Sequence, residues 1–330
     1  MISYTLKRLA AAGLILVVIC ALTFVIFYVT PADPAQGACG KACTPERLSQ
    51  IRHLLGIDRP LWSQFFSYVH GIFAGRTFGG GPDALRCPFP CLGFSFQNDQ
   101  PVTSEIAERL PVSIGIALGA AVLWLAVGVT AGVVSALKAG TWWDRAAMVG
   151  ALGGLSLPIY FTGLALQFLL VTKLGWLPYP TAVPITGDPV GWFESMVMPW
   201  ITLATLYAGL YARITRGEVL ENLERDFVRT ARAKGLPERT VIRRHAIRPG
   251  LTPIATIFGM DLGALLGGAL ITETVFGLPG VGKLAADAIA AGDQPVILGV
   301  TLLVAGFIVV ANVAVDLLYA ALDPRVRSAA

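Results

Sequence analysis

Apolar positions run almost unbroken through six stretches, at about Leu9–Val29, Val112–Leu137, Ala146–Val171, Met198–Tyr211, Ile254–Val275 and Val296–Leu322. Runs of roughly 20 such residues match a hydrocarbon core about 30 Å thick, so each run predicts a membrane-crossing helix. The fourth run is the shortest, and its borders are the least distinct. The first follows Lys7 and Arg8, as a secretion signal would. Its apolar stretch is too long for a signal, and "TPADPAQGAC" behind it offers no good small-residue cleavage site, so an uncleaved helix is expected. Composition agrees. With 55% hydrophobic and 14% charged residues in 330, the chain holds more apolar side chain than a soluble globule can bury. The expected fold is all-α and polytopic, in three parts: residues 1–30 as the first helix, 31–109 as an extracytoplasmic loop subdomain with short helices, and 110–330 as a five-helix core. No tandem repeat or low-complexity segment interrupts this plan.

Charge orients the six helices. Lys7 and Arg8, Lys138 and Arg145, the Arg213–Arg248 segment, and Arg325 with Arg327 all fall on one face, whereas the loops around Lys173–Val197 and Gly277–Pro295 carry one Lys each. The positive-inside rule places both termini in the cytoplasm. The loop from Thr30 to about Arg109 then faces outward; its seven Lys and Arg are no objection, because long loops escape the rule.

In that loop, Thr44 and Pro45 suit the N-cap and first position of a short helix that Gly56 can end. Leu48, Ile51, Leu54 and Leu55 give it one apolar face. "LWSQFFSYVHGIF" is an aromatic-rich amphipathic stretch, suited to the membrane interface or to the protein's own outer surface. Four cysteines, Cys39, Cys43, Cys87 and Cys91, form two CxxxC units. Both a structural zinc site and disulfides fit this spacing; an outward, oxidising location favours disulfides, with connectivity open among three pairings. Cys20, inside the first helix, reads as a small buried hydrophobe.

The densest positive charge lies between Arg213 and Arg248, with ten Arg and Lys against five Asp and Glu. Leu220, Leu223, Phe227 and Ala231 make a helical stripe, which Gly235 is expected to end in the left-handed conformation after Lys234. Pro237 suits the start of a second helix carrying Val241, Ile242 and Ala246 on its apolar side. A helix–turn–helix of this kind invites three readings. Nucleic-acid binding is disfavoured because both ends are tied to membrane helices. Contact with anionic lipid is a second reading. Docking of the little-charged "KGLP" tip into a groove on a cytoplasmic protein suits the projecting turn best.

That stretch, "DFVRTARAKGLPERTVIRRHAIRP", resembles the cytoplasmic coupling loop of ABC-importer permeases, specifically their dipeptide/oligopeptide branch. Other pieces follow in the family's order: "TPADPA", "LGIDRPLWSQFFSYV", "QPVTSEIAERLPVSIGIAL", "GALLGGALITETVFGLPGVGKLAADAI" and "VDLLYAALDPRVR". The resemblance covers nearly the whole chain. It departs at "GACGKAC" and "GGGPDALRCPFPC", which look like additions to the first loop, at Pro249, where Asn is commoner, and at Asp261, where Gln is commoner. It implies a type I ABC importer permease fold, with the coupling loop at about 216–249 and its ATPase contact at Thr230, Ala231, Lys234, Gly235, Leu236 and Pro237. It further implies a second homologous permease subunit, two ATPase subunits or domains, an extracytoplasmic substrate-binding protein, and a setting in a bacterial or archaeal inner membrane. The chain has no GxxxxGK[ST] loop, so no cofactor is expected in it; ATP and Mg belong to the partner subunits. No metal site is expected. The branch also carries nickel chelates, glutathione and other small solutes, which leaves the substrate open. A secondary transporter is the reading from another class, but the internal inverted repeat that such proteins often show is not visible; a membrane anchor for a cytoplasmic enzyme is a weaker third.

Carboxylates at membrane depth are costly and usually face a cavity or a partner. Asp261 is therefore a pathway candidate, with an interhelical hydrogen bond as the plainer alternative. Thr272, Glu273 and Thr274, before "VFGLPGVG", are candidates for an outer gate. Asn312 and Asp316, one turn apart, are candidates for tying helices together. Gly128 with Gly132, and Gly259, Gly263 and Gly267, recur every fourth residue and suit close helix packing.

Overall fold

The computed structural model describes residues 2–29, 34–39, 43–55, 60–78 and 84–322. Its elements in order are α1 (Ile2–Val29), α2 (Pro34–Cys39), α3 (Pro45–Leu55), α4 (Leu61–Ala74), β1 (Arg76–Phe78), β2 (Leu85–Cys87), β3 (Phe94–Ser95) and β4 (Gln100–Pro101). There follow α5 (Val102–Leu137), α6 (Trp142–Ser156), α7 (Ile159–Lys173), α8 (Pro189–Glu224), α9 (Asp226–Ala233) and α10 (Glu238–Leu266). The chain closes with α11 (Leu270–Val275), α12 (Val281–Ala291) and α13 (Gln294–Leu322). Among the described residues five helices, in α1, α5, α8, α10 and α13, are long and apolar enough to cross a membrane, and α6 with α7 supplies a sixth crossing if that bent pair counts as one.

Two compact units divide the chain. The first comprises Met1–Ser113, Gly263–Leu270 and Pro279–Ala330; the second comprises Ile114–Leu262 and Ile271–Leu278.

In the first unit α1 packs along α13, and α4 closes over the pair through Cys20, Phe24, Tyr68 and Leu298. The Phe24 and Phe65 rings meet edge to face with centroids 5.4 Å apart. Cys20 is buried, as expected of a small hydrophobe. Thr44 caps α3, its Oγ1 accepting from the Arg47 backbone N–H at 3.3 Å, and Ile51 is buried on the apolar face. Gly56 lies outside the described residues. The outer loop holds two antiparallel ribbons, β1–β2 and β3–β4, that the apolar pattern did not predict. Strands of two or three residues are too short to show an alternation. Phe78, Phe94 and Phe96 stack into its core with centroids 5.3–5.9 Å apart, beside buried Cys87 and Cys91. Where the strand β3 reaches the α12–α13 corner, Ser95 Oγ donates to Asp293 Oδ2 at 2.5 Å. Burial pushes the Asp293 carboxyl above the usual carboxylate range. Gly263 lies against Ala311 and Phe307, and Gly267 against Val304, so these two glycines do permit close helix approach.

Disulfides join Cys39 to Cys43 and Cys87 to Cys91, each within its own CxxxC unit. Unreduced protein should therefore weigh about 4 Da less than the tetrathiol form, since each bridge removes two hydrogens. Mass spectrometry before and after reduction reads this directly. Four thiols that alkylate without reductant in metal-free native protein would refute both bridges.

In the second unit α8 is the central rod, with α5, α6 and α7 packed along it. Asp188 caps it by accepting from the Gly191 N–H at 3.0 Å, and Pro189 takes its first position. The helix has 36 residues, far more than the run Met198–Tyr211 suggested. Its ends bury Ser195, Thr215 and Asn222 against this chain rather than lipid, so they read as too polar for a span. Gly128 and Gly132 let α5 close on α8: a Cβ on Gly132 would meet the Ala212 carbonyl and Thr215 Cβ, both at 2.6 Å. Trp200 Nε1 donates to the Gly115 carbonyl at 2.9 Å, completing the seam.

Two further runs differ from expectation. The run Ala146–Val171 is broken between α6 and α7, which meet at 100°. Pro158 has no N–H to donate, and Leu157 before it is extended (φ −83°, ψ 127°). The run Ile254–Val275 stops at Leu266, because Gly268 takes φ +118°, leaving α11 as a separate short helix.

Candidate functional site

The coupling turn is built from α9, four exposed residues and the start of α10. The chain leaves α8 at Arg225, whose backbone is extended (φ −70°, ψ 148°), so α8 and α9 are separate helices. This corrects the stripe read from spacing. Leu220 and Leu223 belong to α8, and Phe227 is 42% exposed; the residues that close α9 onto α10 are Val228, Ala231 and Val241, all buried. No Gly or Pro marks the break, which is why the periodicity ran straight through it.

At the C-terminus of α9 the expected geometry is present. Gly235 has φ +74°. Its N–H donates to the Arg232 carbonyl at 2.9 Å, and the Leu236 N–H reaches back to the Ala231 carbonyl at 3.3 Å. This pair of bonds is the Schellman arrangement, in which a left-handed residue satisfies carbonyls that the helix end leaves open. Thr230 Oγ1 donates to the Asp226 carbonyl at 2.9 Å, one turn back. Arg232 then clamps the turn from outside, its Nη2 and Nε donating to Glu238 at 2.7 and 3.2 Å. Ala231 is buried, while Lys234, Gly235, Leu236 and Pro237 are exposed, and nothing lies within 4 Å of where a Gly235 Cβ would sit. The turn is thus a small rigid knob with an apolar Leu236 at its tip.

A second constellation lies deeper in the same unit. Tyr211 Oη donates to Asp261 Oδ2 at 2.8 Å, joining α8 to α10. The Trp124 ring stacks on Tyr207 with centroids 4.7 Å apart and tilts against Tyr211 and Phe258 at 6.1 Å. Tyr211 and Trp124 are buried, whereas Asp261, Tyr207 and Phe258 are half-buried. Asp261 thus makes an interhelical hydrogen bond and, half-buried, lies beside an aromatic cluster. Such a combination attracts organic cations.

The gate candidates sit on α11. Thr272 and Glu273 are buried and Thr274 is exposed. The Glu273 carbonyl accepts from the Leu278 N–H at 2.9 Å, and α7 reaches this region through Gln167 Nε2, which donates to the Val275 carbonyl at 3.3 Å. The structure does not bring these residues together with Asp261. Asn312 is exposed on α13 and makes no side-chain hydrogen bond among the described residues; the side chain of Asp316 lies outside them. The basic residues Arg325 and Arg327 lie outside them too.

Sequence reasoning missed one site. Asp144, at the start of α6, accepts from Arg216 Nε and Nη2 at 2.7 and 2.9 Å, from the Gly140 N–H at 2.9 Å, and from the Ser135 hydroxyl. This bidentate pair, 95% buried at the aspartate, locks the α5–α6 turn to α8. Its partners are 72 residues apart, and nothing in their local spacing marks them.

Two family models match the chain. Residues 1–117 fit the N-terminal region of binding-protein-dependent transport system membrane components, and residues 128–328 fit the binding-protein-dependent transport system inner membrane component. A Brucella abortus (strain 2308) protein described as a peptide transport system permease is 39% identical over 99% of both chains. The dipeptide transport system permease of Escherichia coli (strain K12) is 34% identical over 99% of both. That of Alkalihalophilus pseudofirmus is 33% identical over 99% of this chain and 100% of the relative. The set of apolar helices accords with these matches, and the chain belongs to the binding-protein-dependent transport family as an inner-membrane ABC-importer permease of the dipeptide/oligopeptide branch.

Proposed function

We propose that this permease forms half of a pathway for peptides, and that its α9–α10 knob seats in a groove on a partner ATPase. The exposed knob carries the coupling half of the reading: a rigid, apolar-tipped turn suits a protein groove better than a headgroup layer. The substrate half rests on the relatives, which are described as peptide or dipeptide permeases over their full lengths. The pathway needs a second homologous permease, a second ATPase site, and an extracytoplasmic binding protein to deliver substrate. ATP and Mg are bound by the ATPases. Closure of the ATPase pair displaces the knob and switches the pathway between inward- and outward-facing states. The positive-inside distribution of Lys and Arg supports cytoplasmic termini and a cytoplasmic knob. Thr272, Glu273 and Thr274 contribute to the outer gate.

Within the pathway, Asp261 and its aromatic neighbours meet the ammonium group of the peptide. Asp261→Asn keeps the shape and an acceptor for Tyr211 while removing the charge. Assembly with the ATPases should be unchanged, while uptake of a dipeptide with a free amino terminus falls roughly tenfold, the effect expected of one charged hydrogen bond. Uptake by reconstituted transporter, measured beside ATPase co-purification, tests both halves. Unchanged uptake of every peptide carried would assign Asp261 to structure alone, and failure to co-purify an ATPase with the parent protein would refute the coupling.

A further inference from the structure

Beyond the knob, the first turns of α10 carry a feature that coupling does not use. Arg239, Arg243, Arg244 and Arg248 line one cavity of about 660 Å³, together with Thr240, Ile247 and Leu251. Positions 239, 243, 247 and 251 repeat every fourth residue and so share one helix face. Over Val241–Ile247 the helix widens to i→i+5 bonding, which turns residues five apart, such as 243 and 248, toward a common side. The widening gathers onto one side guanidiniums that a regular helix would spread around its surface.

The four arginines are exposed, and among the described residues none pairs with a carboxylate. Four other arginines of the same segment are paired. Arg216 pairs with Asp144, Arg225 with Glu221, Arg229 with Asp226, and Arg232 with Glu238. Four uncompensated cations around one concavity repel one another and favour a multivalent acceptor such as a phosphate, whose oxygens match guanidinium forks. The cavity wall adds a second property. Half-buried Ile247 and Leu251 lie on the side where α10 continues into its apolar span, a surface that a free anion has no use for.

We propose that this cavity binds the phosphate headgroup of an anionic phospholipid, with the start of an acyl chain lying along Ile247 and Leu251. The site lies where α10 enters the bilayer. It depends on α10 crossing the membrane and not on the ATPase docking at the knob.

The test is native mass spectrometry of the full-length permease, titrated with phosphatidylglycerol or phosphatidylcholine. The parent protein should retain phosphatidylglycerol preferentially. The triple variant Arg243→Gln, Arg244→Gln, Arg248→Gln should lose that preference by about fivefold for each charge removed. The corresponding triple lysine variant keeps the charge but not the guanidinium fork and should retain an intermediate preference, above that of the glutamine variant, which separates loss of binding from loss of fold. A glutamine variant with undiminished preference overturns the proposal. So does arginine-dependent binding of inorganic phosphate alone, without any preference between the two lipids. A glutamine variant that loses co-purifying ATPase yet keeps its lipid would assign the arginines to a protein partner instead, and also overturns it. Failure of the coupling reading at Gly235 leaves the lipid-binding outcomes unaffected.

Discussion

Gly235→Val is expected to uncouple the transporter while leaving its membrane helices folded. Gly235 sits at φ +74°, where a side chain costs about 1–2 kcal/mol and a β-branched one sits worst. No atom lies within 4 Å of the added Cβ, so the penalty comes from the backbone alone and no core residue has to move. The cheapest relief is to abandon the left-handed turn, which breaks the bonds from Gly235 to Arg232 and from Leu236 to Ala231 and re-aims Leu236. The variant should insert and purify at parental yield, bind its ATPase poorly, and lose substrate-stimulated ATP hydrolysis. Gly235→Ala should fall between the two. If lipid contact were the only role of this segment, the glycine change would be nearly silent. A Gly235→Val permease that stimulates its ATPase normally would show that the knob is not the coupling element.

Gly132→Ala should destabilise the second unit, although alanine is the better helix former by about 1 kcal/mol. The new methyl would meet the Ala212 carbonyl and Thr215 Cβ, both at 2.6 Å, and neither is the loose end of a flexible side chain. The α5 and α8 backbones must separate, at a cost of about 1–3 kcal/mol for an overpacked contact. Gly217→Ala on α8 provides the contrast, because nothing lies within 4 Å of its Cβ. That change should be neutral or mildly stabilising. Thermal unfolding in detergent, followed for both variants, should give shifts of opposite sign or one shift and none. Equal stability of the two would refute the close packing at Gly132, and Gly132→Val should lower the yield of folded protein further.

What the chain's pattern reveals depends on the range over which each interaction acts. The turn at Gly235 was legible because a helix end is a local event: Lys234, Gly235, Leu236 and Pro237 carry the whole signal within four positions. The apolar runs were legible because lipid imposes the same demand on every residue that faces it. Where a helix packs on its own chain that demand lapses, so α8 was read as a short span although it extends beyond Met198 at one end and Tyr211 at the other. The break at Leu157–Pro158 had a visible cause in Pro158, but a proline inside an apolar run is also tolerated in membrane helices, as Pro199 is inside α8. Asp144 and Arg216 lie at the other extreme. Asp144 is an ordinary charge near a helix start and Arg216 another inside α8, and only the path of α8 beside the α5–α6 turn makes them a pair. Asp261 was singled out by its depth, whereas Tyr211, which binds it, looked like any aromatic residue in a span.

The length of α8 has a mechanical consequence. At 1.5 Å per residue its 36 residues measure about 54 Å, against a hydrocarbon core of about 30 Å. The helix is therefore about 24 Å longer than that core is thick. Close contacts from Gly115, Gly119, Gly128, Gly132 and Gly154 follow the rod from Trp192 to Arg216. A rod clasped in this way tilts together with the helices that hold it. A tilt of about 10° about the centre of a 54 Å helix moves each tip by about 5 Å, in opposite directions. The stretch that follows Arg225 hangs from one tip, and the segment capped by Asp188 from the other. Movement at one tip of such a rod reaches the other reversed in sense, without passing through any intervening loop.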